Sequence, residues 1–276
     1  MLDTIYFNGG SVKGIGYIGC LQYLIKEGLI ENIKIMRGTS MGGLVLACYL
    51  IGYKPSDMIK KLSNSNLTSI FDIELRNAFN RSSILKGKGI ENFIRKFMKY
   101  KKCKDITFLE LYKKTGIHFT VTGSELLKTK CVNFNHETEP NMKVLTALRI
   151  TSAIPFVFPP IRYKDGLYTD GCLFDMFNQN YNQDNLLYVT LGSSEIDNIN
   201  GTPVHIFASL VLRGVMNNLD NVMKQNCNNS LILKINRKIS NVDFNIDNDT
   251  IVTLFNQGYN STLSYFVEKK SQENIS

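Results

Sequence analysis

The chain has 276 residues and a mass of 31.3 kDa, near the upper end of what one hydrophobic core supports, so a single domain spanning 1–276 is expected. An apolar share of 43% and a charged share of 20% exclude disordered and collagen-like chains, and no apolar run approaches the ~20 residues that cross a bilayer. A net charge of +8 admits an anionic membrane or a nucleic acid as partner, but the lysines are dispersed and no nucleic-acid-binding motif is present, so charge selects neither.

The N-terminus lacks the basic and apolar regions of a signal peptide, which predicts a cytoplasmic or peripheral-membrane protein. Six cysteines (Cys20, Cys48, Cys103, Cys131, Cys172 and Cys227) form no C-x-x-C pair. They read as reduced, mostly buried thiols, with neither a zinc site nor a disulfide framework.

Thr4–Phe7 reads as a short buried strand running into the turn Asn8-Gly9-Gly10-Ser11. A helix follows from about Gly14 to Glu27, with an apolar stripe at Ile15, Ile18, Leu21, Leu24 and Ile25 and Gly28 as its stop. Ile33–Met36 is a second strand, leading through Gly38-Thr39-Ser40-Met41-Gly42 into a helix over Gly43–Gly52. This order opens an α/β fold with a parallel sheet. The stretch from about Lys54 to Lys104 has a helical pattern and is expected to lie over the sheet as an insertion. Strands at Ile117–Thr122 and Cys131–Phe134 precede a helix near Met142–Ile150. Asp165-Gly166 marks a hairpin. Leu186–Leu191 is a strand, Val204–Val222 a helix and Leu231–Ile235 a last strand; Lys269–Ser276 reads as a frayed tail.

Gly38–Gly42 matches G-x-S-x-G. A serine on a sharp strand-to-helix turn needs small neighbours two residues either side, where backbones crowd, and the helix start behind it favours developing negative charge. Gly9, Gly10 and Ser11 follow the first strand and can aim backbone N–H groups into one concavity, suited to an oxyanion or a phosphate, with Lys13 adding positive potential. Gly14-Ile15-Gly16-Tyr17-Ile18-Gly19 spells the dinucleotide fingerprint G-x-G-x-x-G. It lies inside the helix, not directly after the strand, so Gly16 and Gly19 read as helix–sheet packing residues.

A nucleophilic serine needs a base. The order Ser40, Asp170, His205 formally fits an α/β-hydrolase triad, but in that fold the elbow follows several strands rather than the second. His118, His136 and His205 each read more simply as structural. The other candidate is Asp170, followed by Gly171 at the end of the strand Leu167–Thr169. A carboxylate beside a small residue can approach a serine closely and take its proton directly.

Four stretches together resemble the patatin-like phospholipase family, over roughly Thr4 to Cys172. Asn8-Gly9-Gly10-Ser11-Val12-Lys13-Gly14 is similar to that family's Gly-rich loop with its basic residue. The elbow follows one helix and one strand later. Thr151-Ser152-Ala153-Ile154-Pro155-Phe156-Val157-Phe158-Pro159-Pro160 is similar to a further family segment, and Asp170-Gly171 stands about ten residues on, where the family's Asp belongs. The resemblance implies a three-layer α/β/α fold with a mainly parallel sheet. It also implies hydrolysis of acyl esters of phospholipids or related glycerolipids, without metal or cofactor. Carried onto this chain it makes Ser40 the nucleophile and Asp170 the base. The amides around Gly9, Gly10 and Ser11 become the oxyanion hole, with Lys13, Gly14, Gly38, Gly42 and Gly171 supporting the motifs. Two positions depart from the pattern. Ser11 replaces a third glycine, which narrows the hole or demands a strained backbone angle. Cys172 stands where a Gly or Ala is usual.

Ile90–Lys102 places Ile90, Phe93, Ile94, Phe97 and Met98 on one helical stripe flanked by Arg95, Lys96, Lys99 and Lys102. Such a helix either lies in an anionic headgroup layer or packs its apolar face on the sheet, the plainer reading. Phe93, Arg95, Lys96, Phe97 and Lys99 are the candidate membrane contacts. A catalytically silent lipid-binding protein and an acyltransferase using the same dyad are the alternatives.

Overall fold

A computed structural model describes residues 2–70, 85–103, 105–174, 184–191, 203–235 and 246–273. Among these, strands β1 (Thr4–Phe7), β2 (Ile35–Gly38), β3 (His118–Glu125), β7 (Leu186–Leu191) and β8 (Ser230–Leu233) form a parallel array in the order β3-β2-β1-β7-β8. Three antiparallel strands complete it: β4 (Lys130–Phe134) and β6 (Gly166–Asp170) both pair with β3, and β5 (Ile161–Tyr163) pairs with β6. The sheet thus has the mainly parallel centre expected, with an antiparallel margin. The hairpin at Asp165-Gly166 supplies β5 and β6 of that margin, and the turn between Glu125 and Lys130 supplies β4.

Side chains on β1 and β7 alternate between two cores. Ile5, Phe7, Leu187 and Val189 join the large core on one face, whereas Tyr6, Leu186 and Tyr188 join Met223 and Cys227 on the other. Met223 and Cys227 belong to the end of helix α7 (Pro203–Asn226) and the turn leaving it, so α7 covers this second face. Right-handed crossovers require this. The chain steps from β1 through β2 to β3 in one direction and from β7 to β8 in the other, which places the connecting helices on opposite faces. The result is three layers.

The larger layer holds α1 (Gly16–Lys26), α2 (Met41–Leu50), α3 (Pro55–Ser63), α4 (Lys88–Tyr100), α5 (Phe108–Thr115), α6 (Val144–Thr151) and α8 (Asn248–Glu273). Residues 71–84 of the expected insertion lie outside the described residues; on either side of them the chain is helical, in α3 and α4. Helix α8 corrects the expectation of a frayed tail as far as Glu273. Its Ser-, Thr- and Asn-rich sequence has weak helix propensity, and packing on α1 overrides it. The same contact corrects the role of Gly19. A Cβ at Gly19 would lie 1.9 Å from the carbonyl oxygen of Phe255, and one at Gly258 would lie 1.9 Å from that of Gly16, so Gly19 and Gly258 let two helices touch; a Cβ at Gly16 would instead meet Ile235, just past β8, at 2.7 Å. No helix among the described residues is long and apolar enough to cross a membrane.

Candidate active site

β2 runs two residues further than predicted, to Gly38, and α2 begins at Met41, so Thr39 and Ser40 form the whole turn between them. Ser40 has φ 52° and ψ −125°, a conformation that L-residues adopt only under constraint. Close packing and hydrogen bonds around the turn impose it. A Cβ at Gly38 would lie 2.4 Å from Gly43 Cα, and one at Gly42 would lie 2.2 Å from the Phe7 carbonyl oxygen, so strand, turn and helix are in backbone contact. The Ser40 amide donates to Thr151 Oγ1 at 2.7 Å. Thr39 shares hydrogen bonds with Thr122 Oγ1 (2.6 Å) and Tyr6 OH (3.0 Å), fastening the turn to its neighbouring strands.

The register of β3 brings Asp170 to the same place. β4 occupies one edge of β3 from Val121 to Glu125. On the other edge β2 pairs as far as Val121 and β6 takes over from Gly123 to Glu125, running the opposite way. β2 and β6 thus approach end to end along one edge, the first ending toward Ser40 and the second in Asp170. Asp170 is buried, its amide donates to the Ala153 carbonyl at 3.0 Å, and its Oδ1 accepts from the Cys172 amide at 3.0 Å. The turn leaving α6, Thr151 to Ala153, therefore holds both the Ser40 and the Asp170 backbones.

The Gly-rich loop closes the constellation. A Cβ at Gly9 would lie 2.3 Å from Cys172 Sγ and 3.5 Å from Ser40 Cβ, so Gly9 is wedged between the elbow and the turn after Asp170. Gly14 packs on the elbow from the other side, where an added Cβ would lie 2.5 Å from Met41 Cγ. Within the loop the amides differ. The Gly9 amide donates to the Asn8 side chain at 2.7 Å, which engages one of the three amides expected to line the hole. Ser11 opens a 3-10 turn, Ser11–Ile15, whose leading amides have no acceptor within the turn. Ser11 itself has φ 44°, the strained angle expected where a glycine is usual. Lys13 is buried at 3% exposure.

From Ser11 and Ser40 an apolar cleft runs between the helices, passing Met41, Leu44, Leu62 and Phe93. The same four residues line a second, wholly apolar hollow that continues past Cys48, Phe97 and Met98. Helix α4 supplies much of this wall. Ile90, Ile94, Phe97 and Met98 are buried and Phe93 half-buried, which corrects the reading of Phe93 and Phe97 as membrane contacts: the apolar stripe faces the core. Arg95 pairs with Glu91 on the same helix at 2.5 Å, while Lys96 and Lys99 are exposed.

Of the histidines, His118 opens β3 and His136 follows β4, at the opposite end of the sheet from Ser40; the His205 side chain lies outside the described residues. Burial lowers the His118 pKa, with Glu137 opposing and His136 adding to the shift. Thr151, which holds the Ser40 amide, stands at the head of the segment Thr151–Pro160 that the sequence singles out, but its contact with the elbow has no local signature.

Residues 5–181 match the family model described as patatin-like phospholipase. "Probable lipid hydrolase 463L" of Invertebrate iridescent virus 6 is 31% identical over 181 residues, 63% of this chain and 61% of that protein. "Triacylglycerol lipase ptl3" of Schizosaccharomyces pombe is 25% identical over 56% of this chain and 33% of its own length. The chain thus spans less than two thirds of either relative. Among solved structures, VipD from Legionella pneumophila superposes with a TM-score of 0.71 at 15% identity, covering 97% of this chain and 67% of that one. At that identity the likeness concerns the fold.

Proposed function

Because the chain belongs to the patatin-like phospholipase family, we propose that it hydrolyses lipid acyl esters, with Ser40 as nucleophile and Asp170 as its base. The observation that carries the reading is the meeting at Gly9, where the Gly-rich loop touches both the elbow serine and the residue two beyond the aspartate.

Ser40 Oγ attacks the ester carbonyl carbon while the Asp170 carboxylate accepts its proton. The amides of Gly10 and Ser11 stabilise the oxyanion that forms, a contribution worth about 10²–10³ in rate per donor in such sites. Collapse breaks the ester C–O bond, and the departing alcohol takes the proton from Asp170. Water, deprotonated by Asp170, then releases the fatty acid from Ser40. The apolar cleft beyond Leu44 receives the acyl chain. Phospholipids and neutral glycerides both present such an ester.

The test is release of labelled fatty acid from mixed phospholipid vesicles and from emulsified triacylglycerol by wild type, Ser40→Ala and Asp170→Asn. Release by wild type that both substitutions abolish is the expected result, together with fluorophosphonate labelling lost in Ser40→Ala. Folded wild type that releases nothing from either substrate and takes no label would overturn the reading.

A further inference from the structure

His118, His136 and Glu137 bring two imidazole nitrogens and a carboxylate oxygen within 4.8 Å of one another, at the end of the sheet remote from Ser40. Glu137 Oε1 stands 3.7 Å from His118 Nδ1 and 3.9 Å from His136 Nε2. Both distances are too long for hydrogen bonds, so the oxygen faces two nitrogens without closing on either. Ligands around a tetrahedral zinc ion, at about 2.0–2.2 Å from it, sit roughly 3.3–3.5 Å apart. The Glu137 contacts exceed that by only a few tenths of an ångström.

We propose that His118, His136 and Glu137 form a zinc-binding site, with water in the fourth position on the exposed Glu137 side. Two imidazoles and one carboxylate suit a borderline ion such as Zn²⁺ rather than Mg²⁺ or Ca²⁺, which prefer oxygen ligands. The ligands are held by their surroundings. The His136 ring is stacked on Tyr112 at 3.8 Å between centroids and 5° between planes. Asn135 Oδ1 accepts from the amides of Glu137 (2.9 Å) and Thr138 (3.0 Å), fixing the turn from which Glu137 projects. His118 is anchored by the strand, its amide donating to the Lys34 carbonyl at 2.9 Å.

His136 Nδ1 is buried without a hydrogen-bond partner. The other ring nitrogen, Nε2, faces the Glu137 carboxylate and is the one placed to ligate. Closure requires the His118 ring and the exposed Glu137 side chain to move inward by about an ångström, leaving the stacked His136 ring in place. The bound ion would then tie the start of β3 to the turn after β4 and, through Tyr112, to α5.

The experiment is calorimetric titration of Zn²⁺ into the chelator-treated full chain, with Co²⁺ as a visible-absorption probe of nitrogen and oxygen ligation. One equivalent should bind, with the melting temperature rising by about 5 °C at a hundredfold excess over Kd. His118→Ala and His136→Ala should each weaken binding at least about tenfold, and the double substitution should abolish it. Glu137→Gln, at an exposed side chain, should weaken binding without altering the metal-free melting temperature, which keeps the test decisive if a histidine variant folds poorly. All six cysteines remain in the double variant. Binding there as tight as in wild type would assign the zinc to thiols and overturn the proposal, as would wild type that takes up no zinc at about 100 μM or Glu137→Gln that binds unchanged. None of these readouts depends on hydrolase activity.

Discussion

Asp220 and Asn8, 212 residues apart in sequence, are joined side chain to side chain: Asn8 Nδ2 lies 3.3 Å from Asp220 Oδ1 and 2.5 Å from the Tyr188 hydroxyl, which itself donates to Asp220 at 2.8 Å. Thr190 Oγ1 adds a third donor at 2.7 Å. Burial, and then the Asp220 charge, raises the Tyr188 pKa well above its ordinary value, so Tyr188 remains a donor at any working pH. Because the other end of the Asn8 amide accepts the Gly9 N–H, the α7 carboxylate sets the position of the Gly-rich loop from the far side of the sheet.

Asp220 is therefore expected to be a positioning residue. Asp220→Ala takes the acceptor from the Tyr188 and Thr190 hydroxyls and the counter-charge from Lys224, and leaves Asn8 Nδ2 held by Tyr188 alone; a shift of the loop by a fraction of an ångström misaligns the oxyanion donors. Turnover should fall about ten- to a hundredfold with KM nearly unchanged, and Asp220→Asn, which keeps one acceptor oxygen, should fall less. Steady-state kinetics on folded protein reads this. A lowered melting temperature with unaltered kcat would mean that Asp220 supports the fold alone.

Leu44 stands where the cleft from Ser40 meets the hollow behind it. Leu44→Trp should block that passage, so kcat/KM for long-chain esters should fall at least about tenfold while butyrate esters change by no more than about threefold. A chain-length series of p-nitrophenyl esters measures the profile. Equal losses at every length would place the acyl chain elsewhere.

How far the sequence announces this site depends on the range of each contact. Ser40 is proposed from a local elbow, with its required residues within five positions, whereas Asp170-Gly171 says little alone and is proposed from its place in the order of four family-like stretches. Helix α5 carries an equally local signal: Thr107 and Glu110 form a reciprocal capping box, and Gly116, at φ 69°, ends the helix. Other features have no local signature. Gly19 declares its partner only once α8 is laid across it, and Asp220 is one polar residue among many on a long helix. The amphipathic pattern of α4 was legible, but periodicity marks an apolar face without saying whether protein or lipid covers it.

Cys20 and Cys48 predict an alkaline limb to stability. Burial pushes both thiols up from near 9 to about 12, so above pH 9 the unfolded chain loses protons that the folded chain keeps. Stability attributable to each should be constant below pH 9 and then decline by about 1.4 kcal/mol per pH unit until the folded thiol titrates. Urea midpoints between pH 8 and 10 should show the decline, and Cys20→Ala or Cys48→Ala should each flatten it. Parallel curves for wild type and both variants would mean that neither thiol stays protonated in the folded state.

Ser11 bears two separate costs. Its φ of 44° strains an L-residue, and its buried hydroxyl has no hydrogen-bond partner. The first is worth about 1–2 kcal/mol and the second about 1–3 kcal/mol, against about 0.5–1 kcal/mol of extra chain entropy that glycine loses on folding. Ser11→Gly should accordingly raise the melting temperature by several degrees. Ser11→Ala, which removes the hydroxyl but keeps the strained angle, should raise it less. The amide of residue 11 survives both changes, so if its role is to bind the oxyanion, kcat should hold or increase. A collapse of kcat in both variants with stability improved would assign the work to the hydroxyl itself, and the strain at this position would then be what holds that hydroxyl toward substrate.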